Sequence, residues 1–184
     1  HLHKKSSSRT ADAFCHLVLQ GRSLLGLGAT EVSSVIDWLI NNAHNFGIDR
    51  EKIYVFGHSC GGTLAQYCGA LDPRIAGVMA SGSVGYIERT IAKRGLSSGL
   101  SVVPGILNWF EASDVISLVA PRSFIAVSGD KDHIFPHKGA KSVVEEASLF
   151  FEKLDAASKI ATLRADGGHR YYGQLSWEYF KSNI

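Results

Sequence analysis

The chain has 184 residues, and its content of 45% hydrophobic and 20% charged residues is typical of one water-soluble globular domain with a buried core. Its formal net charge is only +2, from 19 basic and 17 acidic residues, so the basic surface of a nucleic-acid-binding protein is not expected. No apolar run reaches the roughly 20 residues that a helix needs to cross a membrane, so a membrane partner is not expected either.

The first predicted element is a helix over residues 30–46, capped by Thr30 and ended by Gly47. Its inner face repeats at helical spacing. The predicted face consists of Val32, Val35, Ile36, Leu39, Ile40 and Ala43. A β-branched and aromatic run over 53–56 then predicts a central parallel strand that is buried on both faces.

Helices and strands alternate along the rest of the chain. The predicted elements are a tight turn over 57–62, a helix over 63–71, strands over 75–79 and 123–127, a helix over 141–157, a strand over 160–163 and a helix over 177–184. The inner face of the helix over 141–157 is predicted to be Val143, Val144, Ala147, Phe150, Phe151 and Leu154. The glycine-rich stretch 81–120 predicts a loop region with short helices.

This alternation predicts an α/β fold with a mostly parallel sheet flanked by helices. In such sheets, ligand sites lie beyond the carboxyl ends of the strands. Candidate functional residues are therefore sought directly after each predicted strand.

The segment Gly57-His58-Ser59-Cys60-Gly61 matches the pattern Gly-x-Ser-x-Gly between a predicted strand and a predicted helix. This context is typical of a nucleophile elbow, a sharp turn that exposes a serine hydroxyl at the top of a sheet. Glycines on both sides of Ser59 are predicted to avoid side-chain clashes in the bend, and Gly62 to let the helix pack closely. Ser59 is therefore the candidate nucleophile.

A serine nucleophile needs a base that is oriented by an acid, and in hydrolases of this kind the chain order is serine, acid, histidine. Asp132 is the preferred acid, because Gly-x-x-Asp followed by an apolar residue and Pro recurs in this fold. Asp130 lies nearer the strand end and is the alternative; its other role would be to cap the turn through backbone N–H groups. His169 follows the last strand, after two glycines that let the loop return over Ser59, and is the candidate base.

Three other histidines are assigned less specific positions. His133 and His137 are predicted to be surface or loop residues. His58, directly before the nucleophile, is predicted to line or underlie the elbow.

These residues predict acyl transfer through an acyl-enzyme, in which His169 takes the proton of Ser59 and Asp132 stabilises the charged imidazole. The backbone N–H of Cys60 would donate a hydrogen bond to the oxyanion. This chemistry needs no cofactor and no metal ion, and the expected partner is a small-molecule ester.

The three cysteines, Cys15, Cys60 and Cys68, have no Cys-x-x-Cys spacing, which favours neither a disulfide framework nor a zinc site. Each is predicted to be a small buried side chain, and the thiol of Cys60 to pack inside. Free thiols give a slight preference for a reducing compartment such as the cytoplasm. The chain begins at His1, so the sequence leaves the native N-terminus and any signal peptide open.

Four segments together resemble the dienelactone hydrolase and acetyl xylan esterase-like branch of the α/β-hydrolases. They are GHSCGG, LDPRIAGVMASG, LVAPRSFIAVSGDKDHIFP and DGGHRYYG. The resemblance implies that Ser59, Asp132 and His169 form the triad and that Cys60 supplies one oxyanion donor. It also implies that residues 9–22, whose pattern alone allows a helix or a strand, are helical. Residues 1–184 are then expected to be one catalytic domain, the C-terminal portion of the full fold.

The chain departs from that branch in two ways. Dienelactone hydrolases proper use a cysteine nucleophile, so a dienelactone is not the expected substrate of Ser59. Family members also have several strands before the segment that starts here, together with a loop that gives the second oxyanion donor. Unless self-association or another chain supplies those strands, the strand over 53–56 is expected to be an exposed edge.

The favoured function is hydrolysis of a small or sugar-linked acyl ester by a serine carboxylesterase. A serine peptidase of the prolyl-oligopeptidase type, which shares these motifs, and a truncated hydrolase-fold protein that only binds a partner are the alternatives. The predicted substrate pocket lies in the loop region 81–120, whose apolar residues fit core packing equally well. They are Tyr86, Ile87, Ile106, Leu107, Trp109 and Phe110.

Overall fold

A four-stranded parallel sheet forms the centre of the computed structural model, which describes residues 2–92 and 99–183. The strands are β1 (Ile53–His58), β2 (Ile75–Ser81), β3 (Ser123–Gly129) and β4 (Ile160–Ala165). Their spatial order equals their chain order, and every pair is parallel. The predicted α/β class is therefore confirmed, and the carboxyl ends of all four strands meet at one end of the sheet.

Helices cover both faces of this sheet. They are α1 (Leu2–Leu19), α2 (Leu24–Asn41), α3 (Ala43–Phe46), α4 (Cys60–Leu71), α5 (Ala112–Ser117), α6 (His137–Lys153) and α7 (Gly173–Asn183). The helices α4 and α6 pack directly on one face, with α2 and α5 packed against them. The opposite face is covered by α7 and the residues just before it.

The alternation of side chains along the strands divides the core between these two faces. Phe124 of β3 and Phe151 of α6 are fully buried on the α4–α6 face, where each contributes about 1.5–3 kcal/mol by leaving water. Met79, Ile125 and Val127 point to the opposite face, where they pack against Tyr172, which directly precedes α7, and against Leu175 and Tyr179 of α7. All seven residues of β3 are buried, as expected for an inner strand.

The long helix predicted over 30–46 begins earlier and is interrupted. It starts at Leu24, where the Ser23 hydroxyl accepts a hydrogen bond from the Gly26 N–H at 2.9 Å. Thr30 is therefore not the cap, and its hydroxyl donates to the Gly26 carbonyl instead. The helix stops at Asn42, whose side-chain amide donates to the Trp38 carbonyl, and the short α3 then ends at Gly47 with a φ of 63°.

The other predicted helices are present with shifted ends. The helix predicted from 63 begins at Cys60, directly after the elbow serine. The helix predicted over 141–157 is α6 (His137–Lys153), which follows Pro136, and the last helix begins at Gly173 rather than 177. The region 81–120 contains a π-helical turn (Glu88–Ala92), a 3₁₀ turn (Ile106–Asn108) and α5, whereas residues 93–98 lie outside the described residues.

Some residues predicted to face the core are exposed. Val35, Phe150 and Leu154 are 57%, 48% and 54% exposed, because the part of the fold that the structure describes covers a narrower stripe of each helix than the periodicity predicted. Residues 9–22 fall largely in α1, so the helix implied by the family resemblance is confirmed there. No single described helix is long and apolar enough to cross a membrane; the pair Arg9–Leu19 and Leu24–Asn41 passes that test only when joined, and it is bent by 95°.

The strand β1 lies at the edge of the described sheet, next to β2. The prediction that both of its faces are buried is wrong, because Phe56 is 36% exposed. On the α7 face, Tyr54 and Phe56 contact the aromatic rings of Trp177 and Phe180. The expectation of an exposed edge agrees with this position.

The three cysteines differ in burial. Cys68 is buried, whereas Cys15 and Cys60 are exposed, so the prediction of three buried thiols is wrong for two of them. Cys15 lies on α1, an outlying helix that packs against α2. Cys60 lies at the first position of α4, beside the elbow.

Candidate active site

The turn between β1 and α4 holds Ser59 in a strained conformation with φ 55° and ψ −123°. A Cβ atom at Gly57 would lie 2.0 Å from the Gly61 carbonyl oxygen, and one at Gly62 would lie 2.3 Å from the Ser83 hydroxyl oxygen. At Gly61, in contrast, a Cβ atom would meet no atom within 4 Å. The elbow therefore requires glycine at 57 and 62, and the prediction of a clash at the second glycine of the motif is wrong.

Backbone hydrogen bonds fix the position of the elbow. The Ser59 N–H donates to the Ser81 carbonyl at 2.8 Å, which extends the pairing of β1 with β2 beyond the last residue of the strand. The next residue, Cys60, is the first of α4. Amides in the first turn of a helix have no acceptor within the helix, so the Cys60 N–H is free of helical pairing and available to an anion near Ser59.

The structure brings the three predicted site residues into one hydrogen-bonded row. His169 Nε2 lies 2.9 Å from Ser59 Oγ, and His169 Nδ1 lies 2.8 Å from Asp132 Oδ2. The second carboxylate oxygen of Asp132 accepts hydrogen bonds from the N–H groups of Ile134 and Phe135 at 2.7 and 2.9 Å. Both oxygens of this carboxylate are thus held, and its orientation toward His169 is fixed.

Asp132 is 3% exposed and still favours its charged form. Burial alone would raise the pKa of Asp132, but the Phe135 amide, His169 and the Ile134 amide together hold that pKa below its ordinary value by hydrogen bonding to the carboxylate. The charge that an orienting acid must supply is therefore present at neutral pH.

Asp130, the alternative acid, is engaged elsewhere. Its two oxygens accept hydrogen bonds from the Arg164 guanidinium at 2.9 Å and from the Gly167 N–H at 3.0 Å. The hydrogen bond from Arg164, followed by that from Gly167, lowers the pKa of Asp130 to about 2. Asp130 thus braces the loop that carries His169, and Asp132 is the carboxylate that contacts the imidazole.

Further contacts tie the loop after β4 to the loop after β3. The Lys131 N–H donates to the Gly167 carbonyl at 2.9 Å, and the Tyr172 hydroxyl donates to the Gly168 carbonyl at 2.6 Å. A Cβ atom at Gly129 would lie 2.2 Å from the Gly167 carbonyl oxygen, so the two loops meet at van der Waals contact there. The sequence reasoning missed Tyr172 and Gly129, and their only signal was their position beside motif residues.

His58 lies next to the candidate base. Its ring centroid is 4.9 Å from that of His169, and its Nδ1 lies 3.3 Å from the Ser81 hydroxyl oxygen. A Cβ atom at Gly82 would touch both imidazole rings, so the space between them depends on this glycine. Burial, followed by the nearby positive form of His169, lowers the pKa of His58. His58 lines the site as predicted, beside His169.

The two histidines predicted to be surface or loop residues behave differently from each other. His133 is exposed in the loop after β3. His137 is the first residue of α6, is half-buried, and has its Nδ1 2.9 Å from the Ser128 hydroxyl oxygen. Burial, followed by the charges of Arg164 and Lys141, lowers the pKa of His137. The prediction for His137 is therefore wrong, because α6 begins four residues earlier than the sequence pattern indicated.

The exposed thiol of Cys60 contradicts the predicted inward packing. Cys60 lines a cavity of about 320 Å³ together with Gly61 and Leu64. The Cys60 side chain points away from the sheet, because this part of the first turn of α4 faces the start of α2 across the cavity.

The apolar residues of the loop region 81–120 divide between the core and a second cavity. Ile87 is buried in the core, and Tyr86 packs against it. Ile106, Trp109 and Phe110 line a cavity of about 420 Å³ with Tyr67 and Leu71, at the end of α4 remote from Ser59. From the helical rise, Leu71 lies about 18 Å along the helix axis from Ser59. A substrate role for this region stays a prediction.

Metal-ligating side chains are not clustered here. Among the residues that the structure describes, no group of three or more His, Cys, Asp or Glu side chains is arranged to hold a metal ion.

Known proteins resemble this chain in sequence and in fold. The BD-FAE family model matches residues 27–123. The Bacillus subtilis protein named "Putative hydrolase YtaP" is 25% identical over 161 residues, which are 86% of this chain and 53% of that protein.

Similar solved structures include esterases. A CE15 glucuronoyl esterase from Caldicellulosiruptor kristjansonii matches with a TM-score of 0.70 and 23% identity, over 85% of this chain and 49% of that one. A glucuronoyl esterase from Solibacter usitatus matches with a TM-score of 0.65 and 19% identity, over 84% and 46%. The chain thus spans about half the length of the relatives that it matches. The α/β-hydrolase fold is confirmed, and since the family model covers more than half of the sequence, the chain belongs to the BD-FAE family.

Proposed function

We propose that this chain is the catalytic part of a serine carboxylic-ester hydrolase, with Ser59 as nucleophile, His169 as general base and Asp132 as orienting acid. The observation that carries the proposal is the row of hydrogen bonds from Ser59 Oγ through His169 to Asp132, at 2.9 and 2.8 Å. This row lies at the carboxyl end of the sheet, where α/β proteins bind their ligands.

In the first half-reaction, Ser59 Oγ attacks the ester carbonyl carbon while His169 Nε2 takes the hydroxyl proton. The tetrahedral oxyanion accepts a hydrogen bond from the Cys60 N–H, and one such donor lowers the barrier by about 3–4 kcal/mol. The intermediate collapses to an acyl-Ser59 ester, and the alcohol leaves with the proton of His169. In the second half-reaction, water attacks the acyl-enzyme with His169 again as base, which restores Ser59.

The role of Asp132 is electrostatic and orienting. With one oxygen on His169 Nδ1 and the other on two backbone amides, the carboxylate keeps the imidazole in the tautomer whose Nε2 accepts the proton of Ser59. Because these contacts exist before any substrate binds, little reorganisation is needed when charge develops on the imidazole.

The names of similar proteins support a proposal for the substrate class. YtaP is named a hydrolase, and the similar structures are named glucuronoyl esterases and, in one case, a methylesterase. We therefore propose a small or sugar-linked acyl ester as the substrate of this chain.

The test is hydrolysis of p-nitrophenyl acetate by the wild-type chain and by the Ser59→Ala variant. We expect Ser59→Ala to reduce kcat/KM at least about a thousandfold, because the nucleophile and its partners act as a unit. The matched control is Ser182→Ala, an exposed serine at the end of α7, which should retain full activity. Mass spectrometry of the quenched wild-type reaction should find one acetyl group on Ser59.

Two results would contradict this proposal. Equal rates for wild type and Ser59→Ala would remove Ser59 as nucleophile. Complete inactivity of the folded wild-type chain would mean that this chain alone does not catalyse the reaction, either because strands that longer relatives add are essential or because it binds a partner without catalysis.

The exposed edge of β1 supports a second, separate proposal, that the chain self-associates through this strand. An edge strand presents N–H and C=O groups that another strand can pair with. Sedimentation velocity over a range of concentrations should find a dimer or larger species, and a monodisperse monomer throughout would contradict it.

A further inference from the structure

The cavity that contains Cys60 is built by two helices. From α4 it takes Cys60, Gly61 and Leu64, and from the start of α2 it takes several apolar positions. The lining residues contributed by α2 and the loop are Leu24, Leu25, Leu27, Gly28, Glu31 and Leu100. The cavity has a volume of about 320 Å³, and its surface is mostly apolar. This volume is at the lower end of the range found for small-molecule sites.

The cavity reaches the two residues that follow the nucleophile in the chain. Cys60 and Gly61 directly follow Ser59, and consecutive Cα atoms of a chain are only about 3.8 Å apart. The helices α4 and α2 lie on one face of the sheet, whereas α7 covers the other face. His169 comes from the loop that leads to α7 and contacts His58 on that side. The cavity and the base therefore approach Ser59 from different sides.

This arrangement assigns the parts of an ester. The leaving alcohol must lie against His169, because that imidazole returns the proton to it. The carbonyl oxygen must lie toward the Cys60 N–H. The third substituent of the carbonyl carbon is the acyl chain, which is left to extend away from His169, toward the face of α2 and α4 where the cavity lies.

We propose that the α2–α4 cavity is the acyl pocket of the enzyme and that it takes an uncharged aliphatic acyl chain longer than acetyl. This rests on the proposed function of Ser59. The leucines of the lining offer no hydrogen bond to a polar acyl group, and the charged group of the lining, the exposed Glu31, disfavours an anionic one.

The position of Leu64 sets the width of the pocket. A Cβ atom at Gly28 would lie 3.2 Å from Leu64 Cδ1, so the two helices approach closely there. Each methylene group that leaves water on entering such a pocket improves binding by about fourfold. A butyryl ester has two more methylene groups than an acetyl ester, and we expect its kcat/KM to be about 15-fold higher.

The experiment measures kcat/KM for p-nitrophenyl acetate, butyrate and octanoate with the wild-type chain and three variants. Leu27→Trp adds an indole at the rim of the pocket, where Leu27 is 39% exposed, and should abolish the preference for butyrate over acetate. Leu64→Ala should enlarge the pocket and raise activity on octanoate relative to butyrate. Leu149→Trp, on the exposed side of α6, is the matched control and should keep the wild-type profile.

The outcomes separate the inference from the function on which it rests. Hydrolysis that depends on Ser59 but shows the same chain-length profile in wild type and Leu27→Trp overturns the acyl pocket alone. The same holds if Leu149→Trp shifts the profile as much as Leu27→Trp. Absence of Ser59-dependent hydrolysis of all three esters overturns the proposed function and the pocket with it. Circular dichroism of each variant checks that a lost preference is not lost folding.

Discussion

The two sides of Ser59 differ in the chemistry of their side chains. On the side of β3 and β4, the loops meet through charged and polar contacts. We call this the polar side; its Asp130, Asp132 and Tyr172 each have hydrogen-bond partners. On the side of α2 and α4, which we call the apolar side, leucines border a cavity whose surface is mostly apolar. On the polar side, the hydrogen bonds hold the side chains in place before a substrate binds, as acid–base catalysis requires. On the apolar side, the cavity leaves space for part of a substrate, and its shape can distinguish one substrate from another.

The sharpest way to break this comparison is to replace Asp132. Asp132→Asn keeps the shape of the side chain but removes the charge that stabilises the imidazolium, and it can hold the wrong tautomer of His169. We expect a loss in kcat on the order of 10⁴-fold, measured with p-nitrophenyl acetate.

Asp130→Asn is the matched control for that substitution. It should cost less than about tenfold, because Asp130 contacts Arg164 and Gly167 and not the imidazole. If Asp130→Asn lost as much activity as Asp132→Asn, the assignment of Asp132 rather than Asp130 as the orienting acid would be contradicted.

The second test compares Gly62 and Gly61, two neighbouring glycines that follow Ser59. A methyl group at Gly62 would overlap the Ser83 hydroxyl and approach the Gly57 carbonyl oxygen at 2.9 Å, so Gly62→Ala should lower the free energy of unfolding by about 1–3 kcal/mol. Gly61→Ala adds a methyl group in open space within a helix, and should leave stability unchanged or raise it by up to about 1 kcal/mol. Urea unfolding measures both, and equal destabilisation would show that α4 packs differently from this structure.

The polar side was the more predictable of the two. Ser59 and His169 follow from the order and spacing of the motifs, because nucleophile, acid and base must each come directly after a strand. The choice between Asp132 and Asp130 was harder, since they are two residues apart. It depends on Arg164 and Gly167, which are 34 and 37 residues from Asp130 along the chain and come close only in the folded sheet.

The cavity on the apolar side could not be predicted from the sequence, for a physical reason. The burial of Cys60 depends on how far α2 stands from α4, and helical periodicity fixes which residues share a face but not what covers that face. The same limit explains Val35, a correct member of the periodic stripe that is nevertheless exposed. The start of α2 was missed because Ser23, rather than Thr30, offers the capping hydroxyl.

A smaller effect is expected at the support of the histidine loop. Tyr172→Phe removes the hydroxyl that donates to the Gly168 carbonyl at 2.6 Å, which contributes about 1 kcal/mol in a typical case. We expect kcat to fall severalfold with little change in KM, because the imidazole loses precision while the pocket is untouched. A rise in KM alone would place Tyr172 in substrate binding instead of loop support.

The smallest predicted effect concerns the pH dependence of stability and tests how buried the polar side is. The pKa of His58 in the folded chain lies below its ordinary value of 6.5, so the unfolded chain binds more protons at this residue. The contribution of neutral His58 to the free energy of unfolding is therefore fully present above pH 6.5, and it is lost as the pH falls through the pKa of His58 in the folded chain. His137 contributes with the same sign.

The variant His58→Asn should show a smaller loss of unfolding free energy than wild type between pH 7.5 and 5.5, measured by urea unfolding at both values. An unchanged difference would mean that water reaches His58 and that the imidazole beside His169 is less enclosed than its contacts indicate.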